Sequence, residues 1–236
     1  MKKIVLLFSL LLIGCSSTSN PTITAPATEH QMDIRYLALG DSYTIGESVK
    51  EEDRFPNQLA ALLEKDGLQV DVTIIARTGW TTDELWQGIQ AATVTPPYDL
   101  VSLLIGVNNQ YRNRSIDEYR TDFSFLLNKA IEYAGGDANR VIVFSIPDWG
   151  VTPFARDRER MTGNDLSNVD DQIDAFNQVN FEISQSAGVH YVNDTPISRQ
   201  AVDKPSLIAG DGLHPSGEMY AEWVKLAYPI ALEILK

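Results

Sequence analysis

The sequence predicts an α/β domain, a three-layer α/β/α sandwich built on a mostly parallel sheet of about five strands. Three observations carry that reading. Short, nearly unbroken Val/Ile/Leu runs recur along the chain, as strands covered on both faces require. Longer stretches with apolar residues at helical spacing separate them. Strand and helix alternate from residue 33 onward, which builds right-handed βαβ units and leaves helices on both sides of the sheet.

In chain order, residues 34–39 form the first expected strand, which stops at Gly40. A helix over 54–64 carries Phe55, Leu59, Leu62 and Leu63 on one face. Residues 70–76 are the second strand. The helix at 82–92 places Asp83 and Glu84 against the positive end of its dipole. Residues 100–105 are the third strand. A helix over 115–133 starts at Ser115, with Glu118 completing a capping box. Residues 141–146 are the fourth strand. The helix over 168–187 repeats Ile173, Phe176, Val179 and Ile183. A short fifth strand spans 189–192, and a helix capped by Ser216 runs over 216–235. There is no internal repeat and no second core, so 33–236 reads as one domain.

Composition narrows the function. Of 236 residues, 44% are apolar, enough for a sizeable core. Lys and Arg number 19 against 32 Asp and Glu, a net charge of −13. Such a surface repels phosphate backbones, so nucleic acid is not an expected partner. The same charge disfavours polyanionic glycans.

The first residues read as an address. Lys2 and Lys3 precede an apolar run of ten residues, 4–13, broken only by Ser9. A spanning helix needs about twenty, so residues 1–14 read as an export signal. Leu12-Ile13-Gly14-Cys15 resembles the bacterial lipobox, whose cysteine is lipidated; the alternative is an ordinary signal that happens to contain a cysteine. Cys15 is the sole cysteine, so no internal disulfide is possible. Residues 15–32, rich in Ser, Thr, Pro and Ala, read as the lipidated cysteine and a flexible tether. The resemblance implies a lipoprotein of the bacterial cell envelope, held to the membrane by several acyl chains.

Parallel sheets carry their sites at the carboxyl ends of the strands. The first strand runs into Gly40-Asp41-Ser42, where a turn can expose a serine hydroxyl; alone, this is also ordinary turn chemistry. After the second strand, Gly79 can let a substrate approach the backbone, or can serve only its own dihedral angles. After the third strand come Gly106-Val107-Asn108-Asn109. Asn108 offers a neutral donor to a developing oxyanion, or forms an Asx turn. Near the C-terminus, Asp211 and His214 stand three residues apart. The carboxylate can hold one imidazole nitrogen and leave the other to take a proton. His30 falls in the tether. His190 sits in an apolar run and reads as a core or edge residue, which leaves His214 as the only histidine of the domain in a loop beside a carboxylate.

In this order the four segments resemble the four sequence blocks of the SGNH (GDSL) hydrolase family, over essentially the whole domain. The resemblance implies a flavodoxin-like sandwich. It implies Ser42 as nucleophile, with an oxyanion hole made by Ser42 N–H, Gly79 N–H and the Asn108 amide. His214 is then the base and Asp211 its orienting partner. Asn109 departs from the usual aspartate of the third block, which bears on local hydrogen bonding. No cofactor and no metal are expected: Walker, dinucleotide and zincin patterns are absent, and so is the Gly-x-Ser-x-Gly of the α/β-hydrolases. Glu51-Glu52-Asp53 reads as a solvated loop.

The expected function is therefore a serine ester hydrolase acting on a small ester substrate, carboxylesterase or lipase-like, with thioesters within range. Glycan O-acetyl hydrolysis is the alternative. From another class comes a non-catalytic surface lipoprotein that binds a ligand in the same cleft. Residues 147–154 read as a loop at the site's edge. Trp149 and Phe154 there can wall a pocket or pack the loop down. Tyr111, Arg112 and Arg114 are candidates for the rim, the arginines as attractors of an anionic leaving group or as solvated charges. The domain lacks the long insertions of a deep lid, which favours small or accessible acyl groups.

Overall fold

Burial at every position of two central strands sets the architecture. β3 (Leu100–Leu104) and β4 (Val141–Phe144) are buried throughout, so both of their faces must be covered. The computed structural model describes residues 33–236. The export signal, Cys15 and the tether lie outside the described residues. Five parallel strands stand in the order β2-β1-β3-β4-β5, with β1 (Asp33–Gly40), β2 (Gln69–Ala76) and β5 (His190–Val192) completing the sheet. This is the flavodoxin-like order, and its topological switch lies between β1 and β3.

Between the strands come α1 (Ser42–Ile45), α2 (Phe55–Lys65), α3 (Thr82–Ala91), α4 (Val107–Tyr111) and α5 (Ile116–Tyr133). After β4 follow α6 (Pro153–Thr162), α7 (Val169–Ala187), α8 (Thr195–Arg199) and α9 (Gly217–Leu235). α2 packs on α9 to form one covering layer, while α3 on α5 and α5 on α7 form the other. Under the first layer, Phe55 meets Phe144 at 4.7 Å and Tyr220 meets Trp223 edge-on at 5.0 Å. Burying each such ring contributes roughly 1.5–3 kcal/mol before entropy is subtracted. No helix among the described residues is long and apolar enough to cross a membrane.

The register matters more than the layer count. Gly40 pairs with Ala76 of β2 and with Leu104 of β3. Three strands therefore end level, and the chain segments after residues 40, 76 and 104 leave the sheet side by side.

The expected elements are present, most with ends within two residues of their reading. Several features differ. Residues 147–154 are not a loop throughout: a 3₁₀ turn (Trp149–Val151) leads into α6. Thr152 caps that helix and Pro153 opens it, but a polar ten-residue helix has no apolar stripe to reveal it in sequence. α1 and α4 were also invisible to periodicity, because one turn cannot display a period. At α5, Ser115 accepts from Glu118 N–H, but the Glu118 carboxylate turns to Arg114 instead of closing a capping box. The reciprocal bond appears at α3, where Glu84 accepts from Thr81 N–H at 3.0 Å.

Candidate active site

Ser42 opens α1 directly behind Asp41, whose side chain caps that helix by accepting from Tyr43 N–H at 3.0 Å. The turn is tight enough to demand glycine at position 40. A Cβ there would lie 2.1 Å from Thr44 Oγ1 and 2.4 Å from the Leu104 carbonyl, forcing β1 away from β3. At the second strand end, Gly79 has φ +87°, a left-handed conformation that side chains rarely adopt. Its carbonyl accepts from Arg112 Nη2 at 2.6 Å, and Arg112 also pairs with Glu84 at 3.1 Å. Arg112 thus fixes the Gly79 loop and does not wait for an anion. Arg114 is engaged by Asp83 and Glu118, and it too is not a free attractor.

Asn108 and Asn109 both lie in α4 but face different tasks. Asn109 is fully buried: it accepts from Thr82 N–H at 3.1 Å and donates to Thr82 Oγ1 at 2.8 Å, which passes its own proton to Asp122. The amide in place of a carboxylate is therefore satisfied, and it locks α4 onto α3. Asn108 Nδ2 donates to the Trp80 carbonyl at 3.0 Å and makes a long 3.4 Å contact with Asp41 Oδ2.

His214 sits in the loop before α9. Ala209 N–H bonds the His214 carbonyl at 2.7 Å, and Ile208 and Pro215 bridge antiparallel, pinching the loop that carries Asp211. Asp211 Oδ2 accepts from His214 Nδ1 at 2.5 Å, while Oδ1 accepts from the N–H groups of Leu213 and His214. A fourth donor was not legible in the sequence. Ser48 Oγ reaches Asp211 Oδ2 at 2.7 Å from a residue with φ +66°. Partial burial alone would raise the Asp211 pKa, but these hydrogen bonds outweigh it and hold the carboxyl at about 2.

Ser42, Gly79, Asn108 and His214 line one cleft of about 180 Å³. Val107, Tyr111, Trp149, Phe154 and Leu213 supply its apolar wall. Trp149 both walls the cleft and packs the loop: its ring meets Tyr111 at 5.3 Å and Phe154 at 6.2 Å, and its Nε1 donates to Gln110 Oε1 at 2.8 Å. His214 Nε2, Ser42 Oγ and the N–H groups of Ser42 and Gly79 have no hydrogen-bond partner among the described residues. His190 is a half-buried edge residue bonded to Asn139. Glu51 to Asp53 form a solvated 3₁₀ turn, and no cluster of metal-ligating side chains occurs among the described residues.

Desolvation pushes the Asp41 carboxyl up to about 7, against hydrogen bonds from Tyr43 N–H and Asn108 that favour its ion. A raised folded pKa costs nothing where both states are protonated. As pH rises past 4 the unfolded chain releases its proton first, and the cost to the fold is complete above about 7. Asp41→Asn removes this titration. Denaturant melts of the variant and the wild type at pH 4 and pH 8 should diverge in the variant's favour by about 1–4 kcal/mol between the two pH values. A difference independent of pH would show that Asp41 does not titrate there.

The GDSL-like lipase/acylhydrolase family matches residues 38–222. No curated protein matches the sequence. Among solved structures, the lipase/acylhydrolase from Enterococcus faecalis is 19% identical with a TM-score of 0.65, over 86% of this chain and 97% of its own. A family 3 carbohydrate esterase from Clostridium thermocellum is 23% identical with a TM-score of 0.64, over 86% and 98%. An acetylxylan esterase from Geobacillus stearothermophilus is 17% identical with a TM-score of 0.61, over 86% and 94%. At these identities the structural likeness speaks for the fold alone. The family match covers most of the chain, including the segments after β1, β2 and β3 and the Asp211–His214 loop, and the chain belongs to the GDSL-like lipase/acylhydrolase family of ester-hydrolysing enzymes.

Proposed function

We propose that this enzyme hydrolyses carboxylic esters of short acyl groups, with Ser42 as nucleophile and His214 as general base. The observation that carries the reading is the pairing at His214. Asp211 takes Nδ1–H, while Nε2 is left free on the cleft that Ser42 also lines. His214 Nε2 takes the Ser42 proton as Oγ attacks the ester carbon. The tetrahedral oxyanion collapses, the bond to the alcohol oxygen breaks, and His214 gives that oxygen the proton. Water then repeats the sequence on the acyl-Ser42 ester, releasing the acid. The N–H groups of Ser42 and Gly79, both unpartnered, suit an oxyanion. So does the Asn108 hydrogen now held only by the long contact to Asp41.

The preference for short acyl groups follows from size. A cleft of about 180 Å³ falls below the ~300–1,000 Å³ of sites that enclose drug-sized ligands. Hydrolysis of 4-nitrophenyl esters from acetate to palmitate tests this: kcat/KM should peak at four carbons or fewer, and a peak at long chains would overturn it. On the sequence pattern, we also propose that the enzyme is anchored in the cell envelope through lipidated Cys15. Its check is the mass of acyl groups on the mature N-terminus and their loss in Cys15→Ala.

Ser48 acts here as a positioning residue, since its hydroxyl touches only the carboxylate that holds the imidazole. Ser48→Ala should lower kcat about three- to tenfold, the effect of one neutral hydrogen bond, with KM unchanged. Ser48→Gly loses the same hydroxyl but relieves the left-handed backbone. It should match Ser48→Ala in rate and exceed it in stability by about 1 kcal/mol.

A further inference from the structure

A second cleft of about 320 Å³ meets the first at Tyr111 and Trp149, which line both. Its lining is more polar, although Leu166 and Val169 also contribute to it. Asn113, Asn164, Asn168 and Gln172 face it, with Arg158 and Asp165. The side-chain amides of the three asparagines make no hydrogen bond among the described residues, and Gln172 engages only its oxygen, on Gln110 at 2.6 Å. Gln110 is held in turn by Trp149 Nε1, so the wall between the clefts is braced. The Arg158 guanidinium has no carboxylate partner among the described residues and lies over the Tyr111 ring at 4.7 Å from its centre.

We propose that this second cleft binds the alcohol half of the substrate and that this alcohol is a neutral sugar, so that the enzyme removes short acyl groups from glycan hydroxyls. The inference rests on the serine-hydrolase reading above. Each side-chain amide both donates and accepts, as each sugar hydroxyl does, so an array of exposed amides with no protein partner among the described residues matches a polyol. An alkyl chain in the same place would strip water from the amides without replacing its hydrogen bonds. A polyanion is disfavoured by a chain of net charge −13 that sets a single unpaired cation here beside Asp165. Volume agrees with the division of labour. The apolar cleft at Ser42 is too small for more than a short acyl group, whereas the polar one reaches the size range of sites that enclose a whole small molecule.

The test compares esters that share an acetyl group and differ in the alcohol: O-acetylated xylobiose, glyceryl triacetate and ethyl acetate. The wild type should prefer acetylated xylobiose over ethyl acetate by about 100-fold or more in kcat/KM, because the sugar's binding energy is available only to that substrate. Asn113→Gly combined with Asn164→Ala removes two amides. Glycine suits the φ of +55° at position 113, Asn164 is exposed, and a thermal melt checks that the variant folds. This variant should cut the preference at least about tenfold, mostly through KM. A preference that survives the variant, or glyceryl triacetate turned over as well as acetylated xylobiose, would overturn the sugar assignment. Calorimetry with Ser42→Ala separates the two readings. If Ser42→Ala binds acetylated xylobiose, the asparagine substitutions abolish that binding, and the wild type releases no acetate, the sugar cleft stands and the serine mechanism falls. Serine-dependent ester hydrolysis with no sugar binding means the reverse.

Discussion

Ser42→Ala is expected to lower kcat on 4-nitrophenyl acetate by at least about 10⁴-fold and to leave the melting temperature within about 2 °C of the wild type. The two halves of that result come from the same geometry. Ser42 Oγ has no hydrogen bond among the described residues, so removing it leaves no buried partner unsatisfied. Its backbone still opens α1, whose cap is the Asp41 side chain. His214→Gln should cost a similar factor, and the double variant little more than either alone. Nucleophile and base form one unit, and losing either removes the covalent route. Additive losses would mean that the two residues serve separate steps, and the proposed mechanism would fail. A Ser42→Ala protein that keeps more than about a tenth of the activity would exclude Ser42 as nucleophile.

Asn108→Ala is expected to lower kcat by about 10²–10³ with little change in KM, because an oxyanion donor acts on charge that exists only in the transition state. The variant also leaves the Trp80 carbonyl without its 3.0 Å partner, so a modest loss of stability, about 1 kcal/mol, should accompany it. Asn108→Asp keeps the shape but places a carboxylate beside Asp41 and beside the developing negative charge. It should be at least as damaging at pH 8 as alanine. A rise in KM with kcat preserved would instead make Asn108 a substrate-binding group. That outcome would leave the two backbone N–H groups as the whole oxyanion site.

Much of this was legible without coordinates. The strands of the sheet announce themselves because burial on both faces demands nearly continuous apolar runs, which β4 supplies at every position and β3 at every position but Ser102. The long helices announce themselves by their stripes. The candidate site was legible because parallel topology sends reactive loops to one edge, and because, of the two histidines in residues 33–236, only His214 stands in a loop beside a carboxylate. Less was legible of α6. Its one buried side chain is Ala155, and a helix that presents so little to the core leaves no pattern to find.

The sequence by itself determined the layers, the strand-end positions of Ser42, Gly79 and Asn108, and the spacing that lets Asp211 hold His214. All of these depend on local periodicity or on residues a few places apart. Tertiary structure alone decided what contacts between distant segments decide. The level register of Gly40 with Ala76 and Leu104 sets three loops side by side. Arg112 closes onto the Gly79 carbonyl across 33 positions, and Ser48 reaches Asp211 across 163. The amide-lined second cleft gathers side chains from α4, α6 and α7 that share no spacing. Hydrogen bonds of this kind act over about 3 Å in space and carry no period along the chain, so only the folded chain brings their partners together.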